Sequence, residues 1–377
     1  MDSDTGWSRA AGESTGRWRT ILARASGRAA VPGSTDHDSA PEQGLGAALA
    51  ASGVPAYEPP RGLGYEQQPG YSFTPPAYAA PAAPPEAAIP TQRPSSGGLE
   101  WRATPVDVNP VEQAASVLRR ELGGSRVIAF ANPKGGVHKT TATVLAAATI
   151  GSVRGRGVVA WDDNELRGTL GLRAGSARHA RTIRHLVTEL AEVEMHTGAE
   201  LSHRLDDFLR HASDGSYDVL AGEEDSRFAW KLDPQTVRRV LDLLTRTHEI
   251  ICVDTGNNVE SANWQTVMQS ADQLVITTVP REDSAFTADW MMDLLIEAGL
   301  QELVANAVTL VSLPTPRPSP MVNDLVRHFA TRTRAVAVVP YDASLEAGAS
   351  IEYSALAQPT RQAWLEAAAA IVAPHVR

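Results

Sequence analysis

The residues best equipped for chemistry lie in one short stretch, Phe130-Ala-Asn-Pro-Lys-Gly-Gly-Val-His-Lys-Thr-Thr141. Gly135 and Gly136 let the backbone curve until its amide hydrogens converge on an anion, and a helix opening just after them adds favourable dipole charge. Lys139 is placed to neutralise the β and γ phosphates of a nucleotide, and the Thr140 hydroxyl to ligate Mg²⁺. Val137, His138 and Thr141 complete the loop and the first helical turn. The stretch departs from the usual phosphate-loop spacing G-x-x-x-x-G-K-[ST], because Pro133 and His138 stand at the two outer glycine positions. A second segment, Glu249-Ile-Ile-Cys-Val-Asp-Thr-Gly256, ends an apolar run in Asp254. A carboxylate at the end of a strand is either a turn former or, beside a phosphate loop, a cation ligand.

A loop of this kind needs a strand before it and a helix after it. From Arg126 onward short apolar runs alternate with longer amphipathic stretches, the pattern of β-α units on a parallel sheet. Strands are expected at 127–131, 157–161, 217–221, 249–253, 273–279, 304–311 and 335–339. Helices are expected at 139–153, twice within 178–212, from Pro234 to about Thr245, from near Ser284 to Gly299, and over 360–373. Asp233-Pro234 supplies an N-cap followed by proline at the first helical position. The fold class is thus α/β, a P-loop domain with a doubly wound, mostly parallel sheet.

Composition separates this part from the rest. Fifteen of the 25 prolines lie between Pro32 and Pro110, among Ala, Gly, Ser and Gln with almost no apolar run, so residues 1–120 read as a mostly disordered tail and 121–377 as the folded domain. No stretch reaches the roughly 18 consecutive apolar residues of a membrane span, and the charged N terminus lacks the apolar centre of a secretory signal, so a cytoplasmic location is expected. The one cysteine, Cys252, excludes an intrachain disulfide and a cysteine-based metal site. Net charge is −10, with 10 basic and 12 acidic side chains in 1–120 and 24 and 32 in 121–377, which gives no support to broad DNA or membrane binding. The exception is segment 7–28, where five arginines alternate with Trp7, Trp18, Ile21 and Leu22: either a solvated end or a short element for a protein, membrane or nucleic-acid partner.

Lys134-Gly-Gly-Val-His-Lys-Thr140 resembles the deviant loop K-G-G-x-x-K-[ST] of the partition and division-site positioning ATPases related to ParA and MinD, and the resemblance runs over about 126–374. It implies ATP and Mg²⁺ as cofactors and a homodimer in the ATP state, in which Lys134 reaches the nucleotide of the other subunit. It implies that Asp254 holds Mg²⁺ and that Asp162, in Val158-Val-Ala-Trp-Asp-Asp-Asn-Glu165, joins the metal shell. The position of the water-orienting acid falls on Asn164, which implies slow hydrolysis unless Asp163 or Glu165 substitutes. Asn257 and Asn258 replace a proline-containing switch, and Ser312 stands where an asparagine reads adenine, leaving the base to the backbone near Pro340 and Tyr341. Arg167, Arg281 and Arg317 flank strand ends and read as solvated or as phosphate contacts.

The implied function is an ATP-dependent dimerising switch that positions, segregates or assembles a macromolecular cargo, with a partner bound through the tail and peripheral association with nucleoid or membrane. The alternative is an ATP-binding scaffold that hydrolyses little; tails of this kind on this fold also occur in ATPases accessory to actinobacterial type VII secretion.

Overall fold

The computed structural model describes residues 109–377 apart from 156, 165–167, 176–180 and 225–231. The tail, segment 7–28, Glu165 and Arg167 therefore lie outside the described residues. The folded part starts earlier than position 121: a helix, α1 (Pro110–Arg119), is capped by Asn109, whose side chain accepts from the Val111 amide, and begins with proline at its first position. Its residues Ala114, Ala115 and Leu118 are buried. The proline-rich composition had absorbed these ten residues into the tail, because Pro110 reads equally as tail or as helix start.

Eight strands form one sheet: β1 (Arg126–Ala131), β2 (Val158–Asp163), β3 (Arg210–His211), β4 (Asp218–Leu220), β5 (Ile250–Thr255), β6 (Gln273–Thr278), β7 (Val308–Ser312) and β8 (Ala335–Val339). Their order is β3-β4-β2-β5-β1-β6-β7-β8, with every neighbouring pair parallel except β3 with β4. Every residue of β2, β5 and β6 is buried, as strands covered on both faces must be. The expected strand over 304–311 is shorter and later, because Val304 belongs to a short helix (Gln301–Ala305) that precedes β7.

Alternate residues of β1 feed the two apolar layers, Val127 and Ala129 one face, Ile128 and Phe130 the other. The second layer is closed by α2 (Lys139–Arg154), α3 (Leu170–Arg173) and a late helix (Gln358–Val372) whose Trp364 is buried. The first is closed by helices at Ile183–Glu194, Gly198–Asp206, Pro234–Thr245, Ala262–Ser270, Glu282–Glu297 and Met321–Phe329. Asp233 caps its helix as expected, accepting from the Thr236 amide at 2.9 Å. Among the described residues no helix is long and apolar enough to cross a membrane.

The helix that carries the phosphate loop is pressed against the far edge of the sheet. A Cβ added at Gly151 in α2 would lie 2.1 Å from the Ser216 carbonyl oxygen, a backbone atom of the β3–β4 turn. Replacing a mid-helix glycine by alanine ordinarily gains up to about 1 kcal/mol, but a clash with backbone outweighs this. We expect Gly151→Ala to destabilise the domain by about 1–3 kcal/mol, read as a lower midpoint in urea unfolding; an unchanged or raised midpoint would show that the turn yields freely.

Candidate nucleotide and cation site

Because β1 lies between β5 and β6, the loop leaving β1 opens beside the carboxyl ends of both. Asn132 immediately follows β1 and is fully buried. Its Nδ2 donates to the carbonyls of Thr277 at 2.7 Å and Ser284 at 3.2 Å, while its Oδ1 accepts from the Lys134 amide at 2.9 Å and the Thr287 hydroxyl at 3.0 Å. This side chain pins the start of the loop to β6 and to α4 (Glu282–Glu297), the helix after β6. The sequence had pointed to its neighbours instead; a polar residue closing an apolar strand just before Pro133 was the available signal.

The loop then turns over Gly135 and Gly136, the latter at φ +76°, and enters α2 through His138 at φ +65°. The left-handed conformation explains why glycine is usual at this position, and histidine is among the residues that tolerate it best. Val137 is buried, whereas both glycines are exposed.

Lys139 is buried, and its ammonium folds back over the loop, donating to the Asn132 carbonyl at 2.9 Å, the Lys134 carbonyl at 3.2 Å and, closely, to Asn257 Oδ1. Burial brings its pKa down to about 8, partly offset by the Asp254 charge. Of Asn257 and Asn258, only Asn257 therefore meets Lys139. Asn258 forms the turn, accepting from the Glu260 amide at 3.1 Å.

Thr140 Oγ1 donates to Asp254 Oδ2 at 2.5 Å. Asp254 is buried, and its second oxygen, Oδ1, has no hydrogen-bond partner. Asp162 stands directly opposite it in the β2–β5 register and is equally buried. Burial, reinforced by the Asp162 charge, pushes Asp254 up to about 7, and burial raises Asp162 to about 6 against the hydrogen bonds it accepts from the backbone. Two buried carboxylates side by side, one with an orphaned oxygen, are costly unless a cation joins them. A hard oxygen set of two carboxylates and a threonine fits Mg²⁺, which typically takes one or two carboxylates and completes its shell with phosphate and water. Among the described residues no group of three or more His, Cys, Asp or Glu could hold a metal by itself.

Asp162 also organises the segment after β2. Oδ1 accepts from the Asn164 amide at 3.1 Å and Oδ2 from the Leu170 amide at 2.9 Å. Gly168 and Gly222 close over it so tightly that a Cβ on Gly168 would fall 2.8 Å from Asp162 Oδ2. Neither glycine was singled out by the sequence, since their meeting depends on β2 and β4 being neighbours. Asn164 borders a small hollow with Asp163, Glu223 and Asn263.

Lys134 pairs with Asp283 at 3.0 Å, both side chains about 40% exposed. Asp283 also pairs with Arg281 at 2.8 Å, so that arginine is a solvated ion-pair partner. Arg317 is exposed in the loop after β7.

On the other side of the loop a cavity of about 360 Å³ is lined by Thr141, Arg173, Ser312, Pro340, Tyr341 and Trp364, among others. Ser312 and the Pro340-Tyr341 pair therefore line one cavity. Tyr341 donates to Glu346 at 2.5 Å, and Asp342 caps the short helix after it through the Ser344 amide. A guanidinium in this cavity, that of Arg173, had no sequence signal.

No family model matches the chain. The ESX-1 secretion-associated protein EspI of Mycobacterium tuberculosis, in strains CDC 1551 / Oshkosh and ATCC 25618 / H37Rv, is 29% identical over 259 residues, which is 67% of this chain and 37% of EspI. This chain thus spans little more than a third of that relative's length. Among solved structures, the cell division ATPase MinD of Pyrococcus furiosus superposes with a TM-score of 0.51 at 21% identity, covering 66% of this chain and 98% of that one. A ParA family ATPase from Chlorobium tepidum gives 0.50 at 18% identity, covering 65% and 98%. The chain has the P-loop α/β fold of the MinD and ParA ATPases.

Proposed function

We propose, on the premise of that fold, that this domain binds MgATP and acts as an ATP-dependent dimerising switch, with weak hydrolysis of its own. The observation that carries this reading is the Thr140–Asp254 pair with its orphaned carboxylate oxygen, set beside a buried lysine whose hydrogen bonds, among the described residues, go to loop carbonyls and Asn257. Asp254, Asp162 and Thr140 would hold Mg²⁺, which when bound would neutralise charge on the phosphates.

The chain's own residues then do the switching. Gly135, Gly136 and the amides through Thr141 cradle phosphate, and Lys139 leaves its loop carbonyls to meet the β and γ phosphates. As it leaves, it gives up Asn257, the second residue after β5, so that nucleotide occupancy is transmitted to residues 256–261. Lys134 is held only by an exposed ion pair, worth at most about 1 kcal/mol, so it is free to exchange Asp283 for a nucleotide in a second copy of the chain. Asn164 can orient water but cannot take its proton, which keeps hydrolysis slow. The base lies in the cavity between Ser312 and Tyr341.

The output is the placement or assembly of a cargo, with residues 1–108 as the partner-binding arm and 7–28 as its recognition element. Between partition and secretion, the relative named as secretion-associated favours an assembly of the type VII kind for the cargo, with the domain acting at the cytoplasmic side as a gated scaffold.

The test is phosphate release from MgATP measured across protein concentrations, alongside sedimentation with and without nucleotide. A specific rate that climbs with concentration, and no longer does so in Lys134→Ala, is the expected result. A rate at background despite ATP-induced dimerisation selects the scaffold. Absence of any nucleotide-dependent association would rule out the dimerising switch.

A further inference from the structure

Arg173 is the last residue of α3, four residues of helix fixed at their start by the Asp162–Leu170 hydrogen bond. Its side chain is buried, and it donates through Nη1 closely to the Ala349 carbonyl and through Nη2 to the Thr141 hydroxyl at 3.1 Å. Among the described residues it forms no ion pair with a carboxylate. A guanidinium keeps its charge in any protein environment, so a buried one without a counter-ion is expensive to maintain unless a ligand supplies the missing negative charge. Other arginines show the contrast: Arg332, its side chain 11% exposed, is matched by Asp289 and Asp293, and Arg210, at 5%, by Glu224.

Its position says which part of a ligand this would be. Lys139 and Thr140 are spent on the terminal phosphates and the cation, and the cavity between Ser312 and Tyr341 takes the base. Thr141 is the next residue of α2 toward that cavity, and Arg173 lines it from the same side. A chain of phosphates running from Lys139 to a nucleoside in the cavity must pass Thr141 with the phosphate that is attached to ribose. Because Arg173 donates to the Thr141 oxygen, the hydroxyl hydrogen of Thr141 is turned outward, available to the same group.

We propose that Arg173 binds the ribose-linked phosphate of the nucleotide, with Thr141 as its co-ligand, and so ties nucleotide occupancy to the segment that follows β2. This rests on the nucleotide-binding reading above. It adds a specific contact on a residue outside the phosphate loop, and it requires α3 and the 347–350 loop, joined by the Arg173–Ala349 bond, to close together over bound nucleotide.

The test compares AMP with adenosine, which differ only in that phosphate, in competition against a fluorescent ADP on the full chain and on Arg173→Gln and Arg173→Lys. A charge-assisted hydrogen bond lost from a buried site corresponds to about a tenfold effect or more. The expected result is that Arg173→Gln lowers the affinity ratio of AMP to adenosine by about that factor, with ADP and ATP weakened in parallel, and that Arg173→Lys, which keeps the charge but not the fork, lowers it less. An unchanged ratio overturns the proposal while leaving the nucleotide reading standing; so does an equal loss for adenosine and AMP, which would make Arg173 a reader of the base or sugar. Failure of the parent chain to bind any of the four ligands overturns both. If Arg173→Gln loses its fold by circular dichroism, the lysine variant decides the same ratio.

Discussion

Lys139→Met is expected to weaken ATP binding by about 100-fold or more while leaving the ligand-free domain at least as stable as the parent. The two halves of this result have separate causes. The binding loss follows from removing the one buried cation that faces the loop interior, whose three donors would otherwise reach phosphate oxygens. The stability half follows from the direction of its pKa. Burial lowers Lys139 to about 8 from the usual 10.5, so folding expels a proton between those values. Its charged form therefore opposes folding at pH values below about 8, and the opposition fades as pH rises through the 8 to 10.5 window. A methionine of similar length removes that penalty, although it leaves the carbonyls of Asn132 and Lys134 and the Asn257 amide without their donor. Calorimetric titration with ATP and urea unfolding at pH 7 check the pair. A variant that still binds ATP within a few-fold of the parent would show that the loop amides alone hold the phosphates.

The second large effect concerns the cation. Asp254→Asn is expected to abolish the Mg²⁺-dependent part of ATP affinity, and in the parent chain that part is expected to grow about tenfold between pH 6 and pH 8. The reason is that Mg²⁺ requires the ionised carboxylate, while burial and the Asp162 charge hold Asp254 up at about 7 and Asp162 at about 6. Without the cation the sign reverses. The folded state binds protons more tightly than the unfolded chain between about pH 4 and 7, so this pair favours folding at low pH and that contribution is lost as pH rises through 6 and 7. Thermal unfolding should thus show the apo domain losing stability across that range, Mg²⁺ with nucleotide restoring it, and Asp254→Asn removing most of the dependence. A Mg²⁺ effect on ATP affinity that is flat from pH 6 to 8 would mean that the two carboxylates are solvated and ionised throughout. That would overturn the raised pKa values, while loss of the Mg²⁺ effect in Asp254→Asn tests the cation site itself.

These expectations attach to residues that differ in how far the chain order announced them. Lys134, Gly135, Gly136, Lys139 and Thr140 lie within seven consecutive residues, and a loop of this kind is a local structure, in which the same backbone that curves also presents the amides. Asp254 and Asp162 were visible as acids ending apolar runs. That they stand opposite each other depended on β2 and β5 pairing in register. The last helix, the Asp233 cap and the Gly299 stop, at φ +85°, were likewise local signals.

What escaped the sequence was assembled from distant pieces. Arg173 is brought to Thr141 from 32 positions away, Asp283 to Lys134 from beyond β6, and Gly168 to Gly222 by the pairing of two strands that other residues specify. Residues 110–119 were assigned to the tail because a short helix with a proline start and three buried side chains is stabilised by what it packs on, here the last helix and α2, more than by its own propensity. The sequence by itself therefore determined the local course of the loop between β1 and α2 and the alternation that makes a parallel sheet, since both depend on near neighbours along the chain. Which acids stand side by side, which lysine is paired with a carboxylate, and which buried guanidinium lacks one among the described residues were decided only by the tertiary structure, because charge and burial are properties of what surrounds a side chain, and those surroundings come from the whole fold.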